Sequence, residues 1–294
     1  MIIKYNEPLS KHSTFRVGGE ARVAYFPESA DELIDVLEVL SANGERYIVI
    51  GNGSNMLFDD LGFDGAVVFT KNVSGVTYTY SGDSVFIEAE CGKMLTELSR
   101  EAGKTHLLTG LEFAYGIPAT VGGAVFMNAG AYGGQMSDVV ISTKAYDKES
   151  RTVIEIVGEE HHFAYRHSAF EENKNLIVLS TTMKLTCGDA MAINDKMEAN
   201  MQSRRDKQPL EYPSAGSTFK RPVGYFAAKL IDDCALKGTS VGGAEVSEKH
   251  AGFIINKGGA TSADILELMA LVSGKVFDTF GVKIEPEVIY VPYK

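Results

Sequence analysis

The residues from Tyr47 to Phe58 read YIVIGNGSNMLF, and Gly51-Asn52-Gly53-Ser54-Asn55 is the first run whose residue types suggest chemistry. Four residues suited to a buried strand lead into two glycines interleaved with short polar side chains. Successive backbone N–H groups in such a turn can face one way and form an anion-binding nest, to which Ser54 and Asn55 add side-chain donors. The dinucleotide fingerprint G-x-G-x-x-G fails here. Met56 stands where the third glycine belongs, and the following LFDDLGFDG carries no 3.6-residue apolar stripe for the required helix. Two readings stay open: an anion cradle outside the Rossmann class, and an ordinary tight turn.

A second candidate is Tyr115–Tyr132, YGIPATVGGAVFMNAGAY. Residues 103–134 hold eight of the chain's 30 glycines, so small residues are concentrated here. Pro118 sets a turn, Gly122, Gly123 and Ala124 are adjacent, and Asn128 sits among small neighbours. This density lets a flat or phosphorylated ligand lie against the backbone, and equally lets two elements cross closely. Both loops adjoin predicted strands, so one extended ligand such as a dinucleotide has the length to touch both.

The remaining polar groups are less specific. Arg204, Arg205, Lys220 and Arg221 form a basic cluster suited to a phosphorylated ligand. For Arg204 and Arg205, a solvated helix end complementing the helix dipole is an equal reading. His161, His162 and His167 lie close together, but no metal site is expected from them. Cys91, Cys187 and Cys234 are odd in number and lack C-x-x-C spacing, which argues against a disulfide framework or structural zinc. Cys91 and Cys234 lie among apolar residues and read as buried packing groups.

The net charge of −11 and a pI near 5.1 argue against nucleic acid and anionic membranes as partners. The N-terminus has no apolar signal region, and no stretch approaches the ~20 apolar residues of a membrane span. A cytoplasmic protein, monomeric and free of membrane contacts, is expected.

The elements that must position these loops read as α+β. Ser29 and Glu32 open a helix over 29–43 with Leu33, Val36, Leu37 and Leu40 on one face. A strand over 47–50, the glycine turn and a strand over 66–70 complete a small β-α-β unit. Strands are expected over 76–80, 85–90, 139–146, 152–156 and 176–185, with a short helix over 94–102. A helix over 190–205 and a Pro-containing linker over 208–214 precede a third region. Its helix over 261–280 is patterned by Ile265, Leu268, Met269, Val272, Val276 and Phe280. EPEVIYV suggests a last strand. No internal repeat is present.

In these segments the chain resembles the UDP-N-acetylenolpyruvoylglucosamine reductase family. YIVIGNGSNML and GIPATVGGAVFMNAGAYG resemble its two FAD-binding segments. HSTFRVGG, FAYRHSAF, PSAGSTFKRP, GGAEVSEKHAGFIIN and IEPEV follow the family's order along almost the whole chain. The resemblance implies a two-lobed, non-Rossmann FAD-binding module of the vanillyl-alcohol-oxidase type plus a smaller α/β substrate domain. The implied divisions are 1–70 and 71–188 for the two FAD-binding subdomains and 189–283 for the substrate domain, with strand 284–294 returning to the first. It implies non-covalent FAD held by Gly51, Asn52, Gly53, Ser54, Asn55 and Met56, and by Gly116, Ile117, Pro118, Ala119, Thr120, Gly122, Gly123, Ala124 and Asn128.

It further implies NADPH as hydride donor and a UDP-sugar enolpyruvyl ether as substrate, in peptidoglycan precursor synthesis. Ser217 matches the proton donor, Arg166 the arginine that pairs with the substrate carboxylate, and Glu287 the catalytic glutamate. Tyr165, Lys220 and Arg221 match substrate-binding positions. Two departures stand out. Ala119-Thr120 replaces the usual Gly-Ser, and the interval from Arg166 to Ser217 lacks the loop that carries a substrate-closing tyrosine, as in the shorter form of the family. Two rivals remain. An oxidase of the same fold would often tether FAD through His or Cys, which neither glycine loop contains. A UDP-sugar sensor without turnover would not need Ser217, Arg166 and Glu287 together.

Overall fold

A computed structural model describes all 294 residues, which divide by their contacts into two units. The first comprises residues 1–4, 24–52 and 66–203, and the second 5–23, 53–65 and 204–294. The helix expected over 190–205 runs over Ala190–Lys207 and belongs to the first unit as far as Ser203.

In the first unit, helix Ala30–Ala42 begins at Ser29, whose Oγ accepts the Glu32 N–H at 3.2 Å. The Glu32 carboxylate reaches back to the Glu28 N–H at 2.9 Å, so the cap closes one residue further out than a simple capping box. Leu33, Val36, Leu37 and Leu40 are buried, as their spacing requires. Strand Tyr47–Ile50 pairs in parallel with Ala66–Phe69, which places Gly51 at the carboxyl end of an edge strand whose last residue, Ile50, is buried.

The rest of this unit is built on one antiparallel sheet. Its strands lie in the order Thr152–Val157, Val140–Asp147, Leu176–Cys187, Ser84–Glu90, Val76–Ser81, and Leu108–Thr109 pairs with the far end of the long third strand. Val85, Ile87 and Ala89 are buried while their neighbours are not, the period of two that marks a one-sided strand. The helix expected over 94–102 is regular only at Leu95–Arg100. A wider π turn follows at Glu101–Thr105, where Gly103 lies against Met197 and Ile193 with no room for a side chain.

In the second unit, Phe15, Leu57, Phe219, Ile231 and Ile254 share a core with the helix Ser262–Phe280. That helix buries Ile265, Leu268, Met269, Val272 and Val276, each contributing about 1.5–3 kcal/mol relative to exposure. Phe280, expected on the same stripe, is exposed at the last turn. A capping box starts it: Asp264 N–H donates to Thr261 Oγ1 at 3.1 Å and Thr261 N–H to Asp264 Oδ2 at 2.9 Å. Gly281, at φ +67°, ends it. Replacing Thr261 by Ala would cost about 1 kcal/mol.

No element is expected between the glycine turn and residue 66, yet Met56–Phe58 forms a strand, parallel to Ile289–Val291. Three residues are too few to show a period. The C-terminal strand thus pairs with Met56–Phe58, which belongs to the same unit, and is regular only over three positions. Pro286, with no N–H for a ladder, sits instead in an isolated bridge with Phe219. No helix is long and apolar enough to cross a membrane.

Candidate functional site

The functional residues fall in both units. In the first, Gly51 follows the parallel strand and lies against Thr120: a Cβ on Gly51 would overlap Thr120 Oγ1. Thr120 is also the N-cap of helix Val121–Phe126, its hydroxyl accepting the Gly123 N–H at 3.4 Å. The hydroxyl retained at the Ala119-Thr120 departure is therefore a structural cap, and the Ala119 carbonyl is taken by the Leu95 N–H at 2.9 Å. Asn52 Nδ2 donates to the Pro118 carbonyl at 2.6 Å, so the two glycine loops anticipated from sequence are joined by a hydrogen bond. Gly116, Ile117, Ala119 and Gly122 are partly exposed, and Pro118 and Gly123 exposed, leaving this backbone open to a ligand. Ala124 is buried in the helix behind it.

Asn128 has a different employment. It is 1% exposed at φ +42°, its Nδ2 donates to the Ala164 carbonyl at 3.0 Å, and its Oδ1 accepts the Ser137 N–H at 3.0 Å. Its side chain holds the chain that carries Tyr165 and Arg166 and is spent inside the protein. Arg166 lies at φ +55° in a tight turn closed by Ala164 and His167, with its guanidinium 5.2 Å from the Tyr165 ring and one nitrogen 3.4 Å from the Gly130 carbonyl. His161 is fully buried between the Gly158 carbonyl and Thr143 Oγ1, each at 2.9 Å, and burial pushes its pKa down. His162 and His167 bond instead to Glu171 and Glu172, acids at i+4 and i+5 from His167 that the sequence reading passed over. No group of three metal-ligating side chains is assembled.

In the second unit, Gly53 at φ +63° has no room for a Cβ, which would overlap the His12 carbonyl. Asn55 Nδ2 donates to the Glu287 carbonyl at 3.0 Å, and the Ile289 N–H returns a bond to the Asn55 carbonyl at 2.9 Å. Ser217 is exposed in the segment running to Arg221, and that segment pairs with the approach to Glu287. Glu287 N–H donates to the Thr218 carbonyl and Lys220 N–H to the Glu285 carbonyl, both at 2.8 Å. Thr218 itself is pinned, its N–H on the Gly252 carbonyl and its Oγ1 accepting the Ile254 N–H at 3.0 Å. The Arg221 guanidinium stacks 4.6 Å from the Phe226 ring. Arg204 is 7% exposed, so the solvated helix-end reading holds only for Arg205.

One cavity was not foreseen. It measures about 210 Å³ and is lined by Ala228, Lys229, Asp232, Lys237, Lys249, His250 and Ala251. Lys237 pairs with Asp232 at 3.2 Å and Lys229 with Asp233. The Gly252 N–H donates to His250 Nδ1 at 3.1 Å, so in the neutral ring the proton sits on Nε2. Burial, then the Lys237 charge, pushes the His250 pKa down. The three lysines are scattered through 229–249, and no linear motif announces them.

The residues present suit a flavin dinucleotide. The backbone N–H groups of Gly51 to Asn55 donate to no protein acceptor. Gly51 and Gly53 each occupy a place that a Cβ would fill. Neutral donors with close backbone access are what a pyrophosphate requires.

Residues 21–156 match the FAD binding domain family, and residues 208–291 match the C-terminal domain of UDP-N-acetylenolpyruvoylglucosamine reductase. The chain is 45% identical over 289 residues to the UDP-N-acetylenolpyruvoylglucosamine reductase of Caldanaerobacter subterraneus subsp. tengcongensis, covering 98% of this chain and 93% of that protein. It is 43% identical to the reductase of Lactococcus lactis subsp. cremoris, with 98% and 94% covered. The crystal structure of the Thermus caldophilus reductase superposes with a TM-score of 0.80 at 32% identity, over 99% of this chain and 98% of that one.

Proposed function

The chain belongs to the UDP-N-acetylenolpyruvoylglucosamine reductase family of FAD-dependent oxidoreductases, and on that premise we propose that it reduces the enolpyruvyl ether of UDP-N-acetylglucosamine enolpyruvate to UDP-N-acetylmuramate, with NADPH as electron source. Within the chain, the observation that most supports this reading is the pairing of the Ser217–Arg221 segment with residues 285–287. It sets a hydroxyl and a carboxylic acid on adjacent, mutually bonded segments.

FAD, when bound, supplies the hydride that adds to the terminal methylene carbon, having received it from NADPH. The N–H groups of Gly51–Asn55 and the backbone of Gly116–Gly123 would hold its pyrophosphate and lie against its rings. Addition at the methylene carbon leaves negative charge on the neighbouring carbon and its carboxylate. Arg166 pairs with that carboxylate; a guanidinium is planar, doubly donating and permanently charged. Glu287, carrying a proton, donates a hydrogen bond to the enolate oxygen. Ser217 Oγ–H gives its proton to the carbon. A serine hydroxyl is a weak acid, so it serves only because the enolate is strongly basic and Thr218 beside it is fixed by two backbone bonds. The cavity with Lys229, Lys237, Lys249 and His250 offers cations for the UDP diphosphate, and Arg221 with its Phe226 platform offers a further one.

The test is an anaerobic titration of the purified holoprotein followed at the flavin's visible absorbance. NADPH should bleach it, and UDP-N-acetylglucosamine enolpyruvate should restore it. Recovery with oxygen alone would replace this reading by an oxidase.

A further inference from the structure

The turn that presents Arg166 needs outside help to exist. A non-glycine residue at φ +55° holds that conformation only when its surroundings impose it. Ala164 and His167 close the turn with reciprocal backbone bonds, both 3.2 Å. Asn128 holds the Ala164 side from within. The other side ends at His167, whose ring lies between two carboxylates: Nδ1 is 3.0 Å from Glu171 Oε2 and Nε2 is 2.7 Å from Glu172 Oε1. The remaining oxygen of Glu172 faces His162 Nδ1 at 2.9 Å.

A neutral imidazole has one N–H and one lone pair, and a lone pair facing a carboxylate oxygen at these distances is repulsive. Only the imidazolium donates at both nitrogens. Glu172 fits this arrangement, since the bonds from His162 and His167 hold its carboxyl below the usual range. The charged groups around the ring are Glu171, Glu172 and His162, with Arg166 adjacent in the chain and Lys174 3.8 Å from Glu171 Oε1.

We propose that His167 is a positioning residue for Arg166: donating from both ring nitrogens to Glu171 and Glu172, it anchors the C-terminal side of the turn and fixes where the guanidinium meets the substrate carboxylate. This rests on the reading of Arg166 given above. When either bond is removed, the turn loosens. The KM for the enolpyruvyl substrate then rises, while flavin reduction by NADPH does not change.

Side-chain 15N NMR of the holoprotein, with the His167 signals assigned by their absence in His167→Gln, reads the ring directly. Both nitrogens should report hydrogen bonds to carboxylates. His167→Gln, with no charge, should raise the KM for the enolpyruvyl sugar about tenfold, the worth of one charge-assisted hydrogen bond. It should leave the rate of flavin bleaching by NADPH unchanged. His167→Arg, whose guanidinium can donate to both carboxylates, should restore a low KM. A ring with a nitrogen that reports no hydrogen bond, or a wild-type KM in His167→Gln, would overturn the role of His167 alone. A wild-type protein whose bleached flavin no enolpyruvyl sugar restores would overturn the reading of Arg166 and this role with it.

Discussion

The N–H of Glu287 donates to the carbonyl of Thr218 at 2.8 Å, so the candidate acid and the candidate proton donor Ser217 sit on two segments fastened to each other. Residues about seventy positions apart in the chain are thus kept in one frame by a backbone bond. Ser217→Ala leaves that backbone bond in place. It should therefore bleach normally with NADPH, while reoxidation by the enolpyruvyl sugar falls by about 10²–10⁴, the usual contribution of a positioned proton donor. Stopped-flow traces of the two half-reactions check this; equal losses in both would mean that Ser217 serves the flavin and not the proton.

Asn55 separates two roles that its position in the glycine turn confounds. Its backbone N–H is available to an anion, but its side chain bonds to the Glu287 carbonyl. Asn55→Ala keeps the first and removes the second. Flavin affinity should change by less than about threefold, whereas reoxidation by substrate should slow by about tenfold, equivalent to one lost hydrogen bond. Fluorescence titration of apoprotein with FAD, beside the kinetic measurement, distinguishes the two. A collapse of FAD affinity with unaltered reoxidation of the bound fraction would show the side chain to be a cofactor ligand.

Two glycines make opposite predictions from one physical quantity, the space where a Cβ would go. Gly51→Ala would drive a methyl group into Thr120 Oγ1, disturbing both the turn and the cap of helix Val121–Phe126. It should be purified largely without FAD. Gly274, on the exposed side of helix Ser262–Phe280, meets nothing within 4 Å. Gly274→Ala should stabilise by about 0.5–1 kcal/mol by removing backbone freedom from the unfolded chain. Urea midpoints and flavin content of the two variants check both.

Helix Ala30–Ala42 and helix Ser262–Phe280 were legible in the sequence because their caps and apolar stripes are local, and strand Ser84–Glu90 because it alternates. Strand Met56–Phe58 was not, since its pairing with Ile289–Val291 joins residues more than two hundred positions apart. The same reason hid the lysine-lined cavity, which exists only once Lys229, Lys237 and Lys249 are brought round it. Asn128 was visible as a polar residue among small ones, but its partners Ala164 and Ser137 were not, so its side chain read as a ligand contact and not as an internal brace. The Glu171 and Glu172 partners of His167 lay within five residues and were within reach of sequence reasoning.

His161 predicts how stability responds to acid. Nδ1–H donates to the Gly158 carbonyl and Nε2 accepts from Thr143, an arrangement that suits the neutral ring, and burial lowers the pKa. The folded pKa lies below the unfolded value of about 6.5, so below that pH the unfolded chain binds a proton that the native state refuses. The stabilisation is complete above about pH 6.5 and is lost as pH falls through the native pKa. His161→Gln should cost about 1–3 kcal/mol at neutral pH through its disrupted buried bonds, yet lose less further stability on acidification. Urea titrations between neutrality and about pH 5 test the slope. Parallel curves for the two proteins would show that His161 is not a titrating contributor.

The cavity offers the last prediction. Three lysines and His250 face a space of about 210 Å³, and Asp232 already pairs with Lys237, which keeps that ammonium oriented. A diphosphate entering it would exchange this exposed ion pair for charge-assisted bonds. Lys237→Ala should therefore raise the KM for the UDP-sugar about tenfold, leaving kcat within about threefold, because the lost interaction is equal in ground and transition states. Added salt should weaken substrate binding more in the wild type than in the variant, since screening acts on the charge that the variant lacks. Binding should also draw a proton onto His250, whose pKa is held down in part by Lys237. Affinity for inorganic pyrophosphate should consequently increase as pH falls toward about 6, more steeply than in His250→Gln. Calorimetry in two buffers of different ionisation enthalpy reads the proton uptake. A wild-type KM in Lys237→Ala would move the diphosphate elsewhere, with Lys220 and Arg221 the next groups to substitute.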